Sequence, residues 1–370
     1  MATAPEDIPE PDRVPGAPHP RMTGRVIGQD HAIAEFLQAA RGGRLHHALL
    51  LTGPRGVGKA TLAWAIARWL LSGSDSDDLS VPEGDPAARR LAALSEPGLH
   101  LIRRPWDDKA GRLSAQITVD EIRRLLSFFH LSSAGGGRRI AIIDAADEMN
   151  VAAANALLKV LEEPPADALI LLVAHQPARL LPTIRSRCRV LRLNPLTPAQ
   201  MGDALAAMDH ADDAEALAAL SDGSVGEAMR LAGQDGLARY QQIVDLFATL
   251  PRLDRLAAAK LSDGAAGRAN ADGDPFDLTI TLLDRFLTRT ARAGLMGAPL
   301  PQAAQGEGAL LARISPDDRA ARDWAGAQAR LSARARTGRA VNLDPAALVM
   351  DMLTELAHLP PAQSAAPARS

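Results

Sequence analysis

Apolar positions along the chain change their period several times, and the changes divide it. Leu49-Leu50-Leu51, Ile140-Ala141-Ile142-Ile143 and Leu169 to Val173 are unbroken apolar runs, too short for helices and continuous rather than alternating. Such runs predict strands buried on both faces of a parallel sheet. A shorter strand is predicted near Leu99 to Ile102. Between the strands the period becomes helical: His31 to Arg41 places Ile33, Phe36, Leu37 and Ala40 on one face, and Leu62 to Leu71 and Ala87 to Leu94 follow. Thr118, with Glu121 three residues later, marks a capped helix start, and Ile122, Leu125, Leu126 and Phe129 form its inner face. Asn150 caps a helix over Val151 to Leu161, with Ala154, Leu157, Leu158 and Leu161 inward and Pro164-Pro165 as its stop. Strands alternating with helices predict an α/β fold over residues 21–195.

Beyond Asn194-Pro195 the strand signals cease. Thr197-Pro198 opens a small helical module over residues 196–236, and residues 237–360 read as helical, broken by loops at Asp263 to Asp274 and Gly294 to Gly308. Residues 1–20, rich in Pro and acids, read as a disordered leader, and 361–370 as a disordered tail. Ser72 to Pro86 has no period and reads as a solvated loop.

Composition narrows the function. Among 370 residues the formal net charge is -3, so the chain lacks the basic excess of a protein that grips DNA alone. Aromatic residues are only 3%, which leaves Ala, Leu and Val to build the cores. Cys188 is the single cysteine, which excludes an internal disulfide and a multi-cysteine zinc site and suits a reducing cytoplasm. The N-terminus lacks the apolar stretch of a secretory signal, and no apolar run approaches the roughly 20 residues of a membrane helix.

The chemistry concentrates at Gly53-Pro54-Arg55-Gly56-Val57-Gly58-Lys59-Ala60-Thr61, between a strand and a helix. Gly53, Gly56 and Gly58 let the backbone curl so that its N–H groups surround one point, and Lys59 adds a mobile charge for outer phosphates. This is a site for ATP or ADP; the competing possibility is a glycine-rich turn with no ligand. The hydroxyl that usually follows the lysine and holds magnesium is replaced by Ala60. A hydroxyl comes one place late, at Thr61, turned about 100° around the helix, so magnesium ligation stays open.

Asp144 ends a buried strand where a doubly wound sheet binds ligands, the position of an acid that would hold magnesium beside a nucleotide; the alternative is an acid that only caps the following turn. The residue after it is Ala145, which can neither orient water nor accept its proton; Asp147 and Glu148 lie beyond the strand end. His175-Gln176 closes the next strand and is either a phosphate sensor or a turn. His46-His47 lacks a third ligand for a metal. Arg185, Arg187 and Arg189 alternate, and would share one face of an extended segment without acidic partners nearby in sequence. Cys188 between them reads as a small buried side chain.

Taken together, Arg44-Leu45-His46-His47-Ala48, Gly53 to Thr61, Ile143-Asp144, Asn155 to Lys159, Leu161-Glu162-Glu163-Pro164-Pro165 and Ser186-Arg187-Cys188 resemble the delta-prime branch of bacterial DNA polymerase III clamp-loader subunits, within the AAA+ family. The resemblance covers residues ~25 to 195; Gly223-Ser224 and Asn342-Leu343-Asp344 extend it loosely. It implies a RecA-like P-loop domain, a helical lid and a helical collar, assembled in a five-membered ring with gamma or tau and delta subunits to load a sliding clamp on primer-template DNA. It implies that Arg187 is an arginine finger offered to the neighbour's ATP, its anion arriving from another chain. Ala60, Ala145 and Gly226, the last where a lid arginine would follow Gly-Ser, imply a stator that does not hydrolyse ATP itself. The zinc cysteines of many relatives are missing. The rival possibilities are an autonomous ATPase, with Thr61 holding magnesium and Asp147 or Glu148 orienting water, and a scaffold whose phosphate loop is empty.

Overall fold

The computed structural model describes residues 10–107, 111–130, 137–269 and 273–359. It divides into two compact units: one runs to Ala204 and includes Gly223–Gly226, and the other comprises Leu205–Asp222 and the chain from Glu227 onward.

The first unit carries α1 (Asp30–Arg41), β1 (Ala48–Thr52), α2 (Lys59–Ser72), α3 (Pro86–Ala92), β2 (Leu99–Ile102), the short strands β3 (Trp106–Asp107) and β4 (Arg112–Leu113), α4 (Val119–His130), β5 (Arg139–Asp144), α5 (Val151–Glu162), β6 (Ala168–Ala174), α6 (Pro182–Arg185), β7 (Arg189–Arg192) and α7 (Pro198–Ala206). Five strands form a parallel sheet in the order β2-β5-β6-β1-β7, with Leu50 level with both Leu172 and Val190 and Ile142 level with Leu171. β3 and β4 pair antiparallel at Trp106 and Leu113.

Why the central strands read as unbroken apolar runs is now visible. Leu49, Leu51, Ile140, Ile142 and Leu171 face the layer holding α1 and α2, with Phe36, Leu62, Trp64 and Ile66. Their neighbours Leu50, Ala141, Ile143, Ile170 and Leu172 face α4 and α5, with Ile122, Leu125, Leu157 and Leu161. Side chains alternate across a strand, so both faces must be apolar. Burying each leucine or isoleucine stabilises the sheet by about 1.5–3 kcal/mol. Asn150 caps α5 as its sequence predicts, its Oδ1 accepting the Ala153 N–H at 2.8 Å. The Ser72 to Pro86 segment is a loop, but not one free in solvent: Leu79 is buried in the core and the Ser76 carbonyl accepts the Trp69 indole N–H at 3.2 Å.

Two expectations are corrected here. Residues 10–20 are not a leader without structure. Glu10 pairs with Arg21 at 2.6 Å and Arg103 at 3.1 Å, and Asp12 pairs with Arg103 at 2.7 Å, so opposite charges distant in sequence hold this strap down. Arg68 secures the next residues, donating to the carbonyls of Thr23 and Arg21 at 3.0 and 2.9 Å. Residues 1–9, 131–136 and 360–370 lie outside the described residues, and with them Gly135-Gly136 and the expected tail. The Pro182 to Arg189 segment is not extended either. Pro182 opens α6, whose turn closes through Ser186 N–H to the Pro182 carbonyl at 3.0 Å, so Arg185, Arg187 and Arg189 sit on a helix, a turn and a strand in succession.

The second unit is helical: α8 (Ala214–Ser221), α9 (Val225–Gly233, from Glu227 onward), α10 (Gly236–Ala248), α11 (Arg255–Ala265), α12 (Pro275–Met296), α13 (Glu307–Ile314), α14 (Asp318–Ala340) and α15 (Pro345–Ala357). The lid module expected at residues 196–236 is therefore not compact by itself. Arg289 on α12 donates to the Ala219 carbonyl at 3.2 Å and Arg285 pairs with Asp222, which ties α8 to the long helices. Helix α11 runs on to Ala265, beyond the predicted break at Asp263. Its core joins Tyr240, Phe247, Phe286 and Trp324. At its centre Glu307, fully buried, accepts from Tyr240 OH at 2.6 Å, Arg289 Nε at 2.6 Å and the Ala303 N–H at 2.7 Å. Among the described residues no helix is long and apolar enough to cross a membrane.

Candidate phosphate-loop site and arginine edge

The loop between β1 and α2 is built as its glycines predict. Gly53 at φ 146° lies so close to the Leu193 carbonyl that any Cβ there would collide with it, and Gly58 at φ 96° turns the chain into α2. Gln29, buried ahead of α1, braces the loop: its Nε2 donates to the Val57 carbonyl at 3.1 Å and the Asn194 carbonyl at 2.9 Å, while its Oε1 accepts the Asn194 N–H at 3.1 Å.

Lys59 points inward and is 3% exposed. Its ammonium donates to the Gly53 and Pro54 carbonyls at 2.9 and 2.6 Å. Burial lowers its pKa to about 8 against the opposing pull of Asp144 and Asp147. Ala60 and Thr61 occupy the half-exposed first turn of α2. On the outer side of the loop, the Ser224 hydroxyl donates to the Arg55 carbonyl at 2.8 Å and the Gly226 N–H to the Gly56 carbonyl at 3.0 Å.

Asp144 lies at the end of β5, as predicted, and is 7% exposed. Burial pushes its carboxyl up to about 7, the nearby charge of Asp12 adds to the rise, and Lys59 opposes it. Ala145 follows, buried and inert. The acids beyond it are committed elsewhere: the Asp147 carboxylate accepts the backbone N–H groups of His175 and Gln176 at 3.0 and 2.9 Å, and Glu148 pairs with Arg104 at 2.8 Å. The His175 ring is driven to a pKa of about 4 by burial and then by the charge of Lys59, so the imidazole is neutral at physiological pH.

Lys59 and the curled backbone therefore fit a phosphate. Ala60 and Ala145 carry no group able to hold magnesium or activate water, and Asp147 and Glu148 beyond them are engaged by the His175 and Gln176 N–H groups and by Arg104.

The arginine edge lies at the opposite boundary of β1's neighbour. Arg187 is 37% exposed, outside the core, and its guanidinium is not without an anion: Nη2 pairs with Glu162 at 2.9 Å and Nη1 donates to the Thr183 carbonyl at 3.1 Å. Arg189 pairs with Glu35 at 2.6 Å. The expected absence of internal partners is thus corrected; the acids come from α5 and α1, too far away in sequence to be counted. Cys188 packs against the α4–α5 core, and burial pushes its thiol up to about 12, which leaves it unreactive. His46 and His47 stack at 4.3 Å between centroids, and each ring bonds a backbone carbonyl, of Ala48 and Leu161.

Residues 28–197 match the family described as DNA polymerase III, delta subunit. A DNA polymerase III subunit delta' of Pseudomonas aeruginosa is 37% identical over 235 residues, covering 62% of this chain and 69% of that protein. The chain belongs to the delta-prime family of DNA polymerase III subunits. Its counterpart in Bacillus subtilis is 32% identical over 210 residues, 56% of this chain and 60% of that protein. A DNA polymerase III subunit gamma/tau of Mycobacterium tuberculosis is 31% identical over 189 residues, 50% of this chain and 31% of that protein.

Within this delta-prime chain a parallel sheet with helices on both faces carries the phosphate loop, and a helical region follows it. The structure brings Gly53, Gly56, Gly58, Lys59 and Asp144 together, while Arg187 lies apart from them at the sheet's other boundary. Sequence reasoning missed three contributors: Gln29, Asp12 and Glu162. Gln29 stands between Ile27-Gly28 and the polar pair Asp30-His31, where nothing in the local pattern sets it apart. Glu162 lies in the Leu161-Glu162-Glu163-Pro164-Pro165 motif, but its pairing with Arg187, like that of Asp12 with Arg103, joins residues distant in sequence and has no local sign.

Proposed function

We propose that this chain serves DNA replication as a clamp-loader subunit that offers Arg187 to a nucleotide held by a neighbouring subunit and does not hydrolyse ATP at its own loop. Its partners on this reading are gamma or tau and delta in a five-membered ring, and through them the sliding clamp and primer-template DNA. The observation that carries the reading is the contrast between the two sites. Asp147 and Glu148, the acids that follow Ala145, are engaged by the His175 and Gln176 N–H groups and by Arg104. Arg187 meanwhile keeps a half-exposed guanidinium on a turn anchored by buried Ile184. The same observation counts against an autonomous ATPase, since each Asp147 oxygen is tethered by a backbone N–H and Glu148 is paired with Arg104, so neither carboxylate is free to turn toward a water at the loop. The Lys59 loop can hold the phosphates of ATP or ADP once its ammonium leaves the Gly53 and Pro54 carbonyls.

An arginine supplied in trans is worth about 10³ to 10⁵ in rate in phosphoryl transfer. Arg187→Ala is therefore expected to leave the chain folded and able to join a complex with gamma or tau and delta, while turnover at the site it faces collapses. Phosphate release from the reconstituted complex measures this. Undiminished release would remove the reading, as would steady hydrolysis by the isolated chain that Lys59→Ala abolishes.

A further inference from the structure

Three segments singled out separately in the sequence meet at one place, the C-terminal end of α5. His47, from Arg44-Leu45-His46-His47-Ala48, bonds through Nε2 to the Leu161 carbonyl at 3.1 Å. That carbonyl belongs to the last turn of α5, where helix carbonyls lack intrahelical donors. The next residue, Glu162, is the first acid of Leu161-Glu162-Glu163-Pro164-Pro165, and its Oε1 holds Arg187 Nη2 at 2.9 Å. Arg187 is the centre of Ser186-Arg187-Cys188. Its turn is fixed from within by Ile184, fully buried, and by Cys188 against the core, and the Thr183 carbonyl receives both Ser186 Oγ and Arg187 Nη1 at 3.1 Å.

We propose that Glu162 is a positioning residue for Arg187, presenting its guanidinium at the surface in a fixed orientation, with His47 holding the helix end from which Glu162 projects. The inference rests on the reading of Arg187 as a finger offered in trans. A guanidinium has five N–H donors in a planar fork, and Glu162 and the Thr183 carbonyl each take one. The remaining donors keep their directions, so the fork can meet a phosphate without a search among arginine rotamers. Because the pair is half exposed, it contributes little to folding. Its effect lies in preorganisation, which for one rotamer-rich side chain corresponds to a rate factor of about three- to tenfold.

The opposite action is equally concrete: a carboxylate that competes with the phosphate would restrain the finger, and removing it would raise the rate. The two are separated by comparing Glu162→Ala and Glu162→Gln with Arg187→Ala in the complex reconstituted with gamma or tau and delta subunits, reading kcat and KM for ATP. An amide oxygen still accepts from a guanidinium, so Glu162→Gln is expected to stay within about twofold of the natural chain. Glu162→Ala is expected to lose about three- to tenfold in kcat with KM little changed. A merely structural role would lower complex yield or thermal stability in both variants and would not separate alanine from glutamine. If Arg187→Ala is inactive while both Glu162 variants match the natural chain, or both run faster, Glu162 does not position the finger. Full activity in Arg187→Ala would instead fell the finger itself, and the positioning role with it.

Discussion

Gly226 lies directly against Gly56: its N–H donates to the Gly56 carbonyl at 3.0 Å, and a Cβ on Gly226 would stand 2.8 Å from the Gly56 Cα. The obstacle is backbone, which cannot swing aside as a side-chain tip can. An arginine at this position, as expected in hydrolysing AAA+ relatives, has no room unless the phosphate loop moves. Gly226→Ala should therefore destabilise the protein even though alanine suits a helix better than glycine by about 0.5–1 kcal/mol. Overpacking costs about 1–3 kcal/mol, which leaves a net loss of up to about 2.5 kcal/mol. Urea denaturation reads it as a lower midpoint, and a midpoint raised by alanine would mean that the two glycines are not in contact.

The parts of the fold that were legible are those where one physical demand sets the residue type. β5 and β6 had to be apolar on both faces because helices cover both, and Gly53 had to lack a Cβ beneath the Leu193 carbonyl. What escaped depends on pairs distant in sequence. Glu10 and Asp12 look like solvated acids until Arg21, Arg103 and His19 are brought beside them, and His19 in turn packs edge-on to Trp64 at 6.4 Å. The Arg185 to Arg189 alternation suggested a strand, whereas Pro182 at a helix start and the apolar pull on Ile184 decided for a turn. The strand, the curled glycine turn at Gly53, Gly56 and Gly58 and the helix start at Lys59 were readable from spacing alone. The engagement of Asp147 with two N–H groups was not, since those groups come from the end of β6.

In the helical unit, Glu307 is the residue whose loss should be felt most. It is fully buried and accepts from Arg289, Tyr240 and the Ala303 N–H. Burial alone would raise its pKa, but Arg289, Tyr240 and the Ala303 N–H outweigh that and hold the carboxyl below its ordinary value. Glu307→Ala leaves the Arg289 cation without its anion and should cost about 3–5 kcal/mol. The lowered pKa also fixes a direction. The stabilisation is complete above the unfolded carboxyl's pKa near 4.5 and is lost as pH falls through the folded value. Denaturation midpoints of the two proteins should therefore converge in acid, and a gap that stays constant would place the stabilisation elsewhere.

Asp144 predicts the reverse pH dependence. Its folded carboxyl is pushed up to about 7, first by burial and next by the Asp12 charge, against an unfolded value of 3.8. Below pH 4 both states hold the proton and nothing is lost. As pH rises from about 4 to about 7 the unfolded chain ionises first, so the folded state is progressively penalised, and the full penalty stands above the folded value. Across that window Lys59, with a pKa of about 8, keeps its proton and does not reverse the sign. Asp144→Asn removes the titration while keeping the shape. Its stability relative to the natural chain should therefore climb between pH 4 and 7, by up to about 1.4 kcal/mol for each unit in which only the folded state is protonated. Urea midpoints taken in parallel across that range decide it. Parallel curves would mean that the carboxylate is solvated or paired in the folded protein, and then the end of β5 would not be the dry, acidic strand terminus described here.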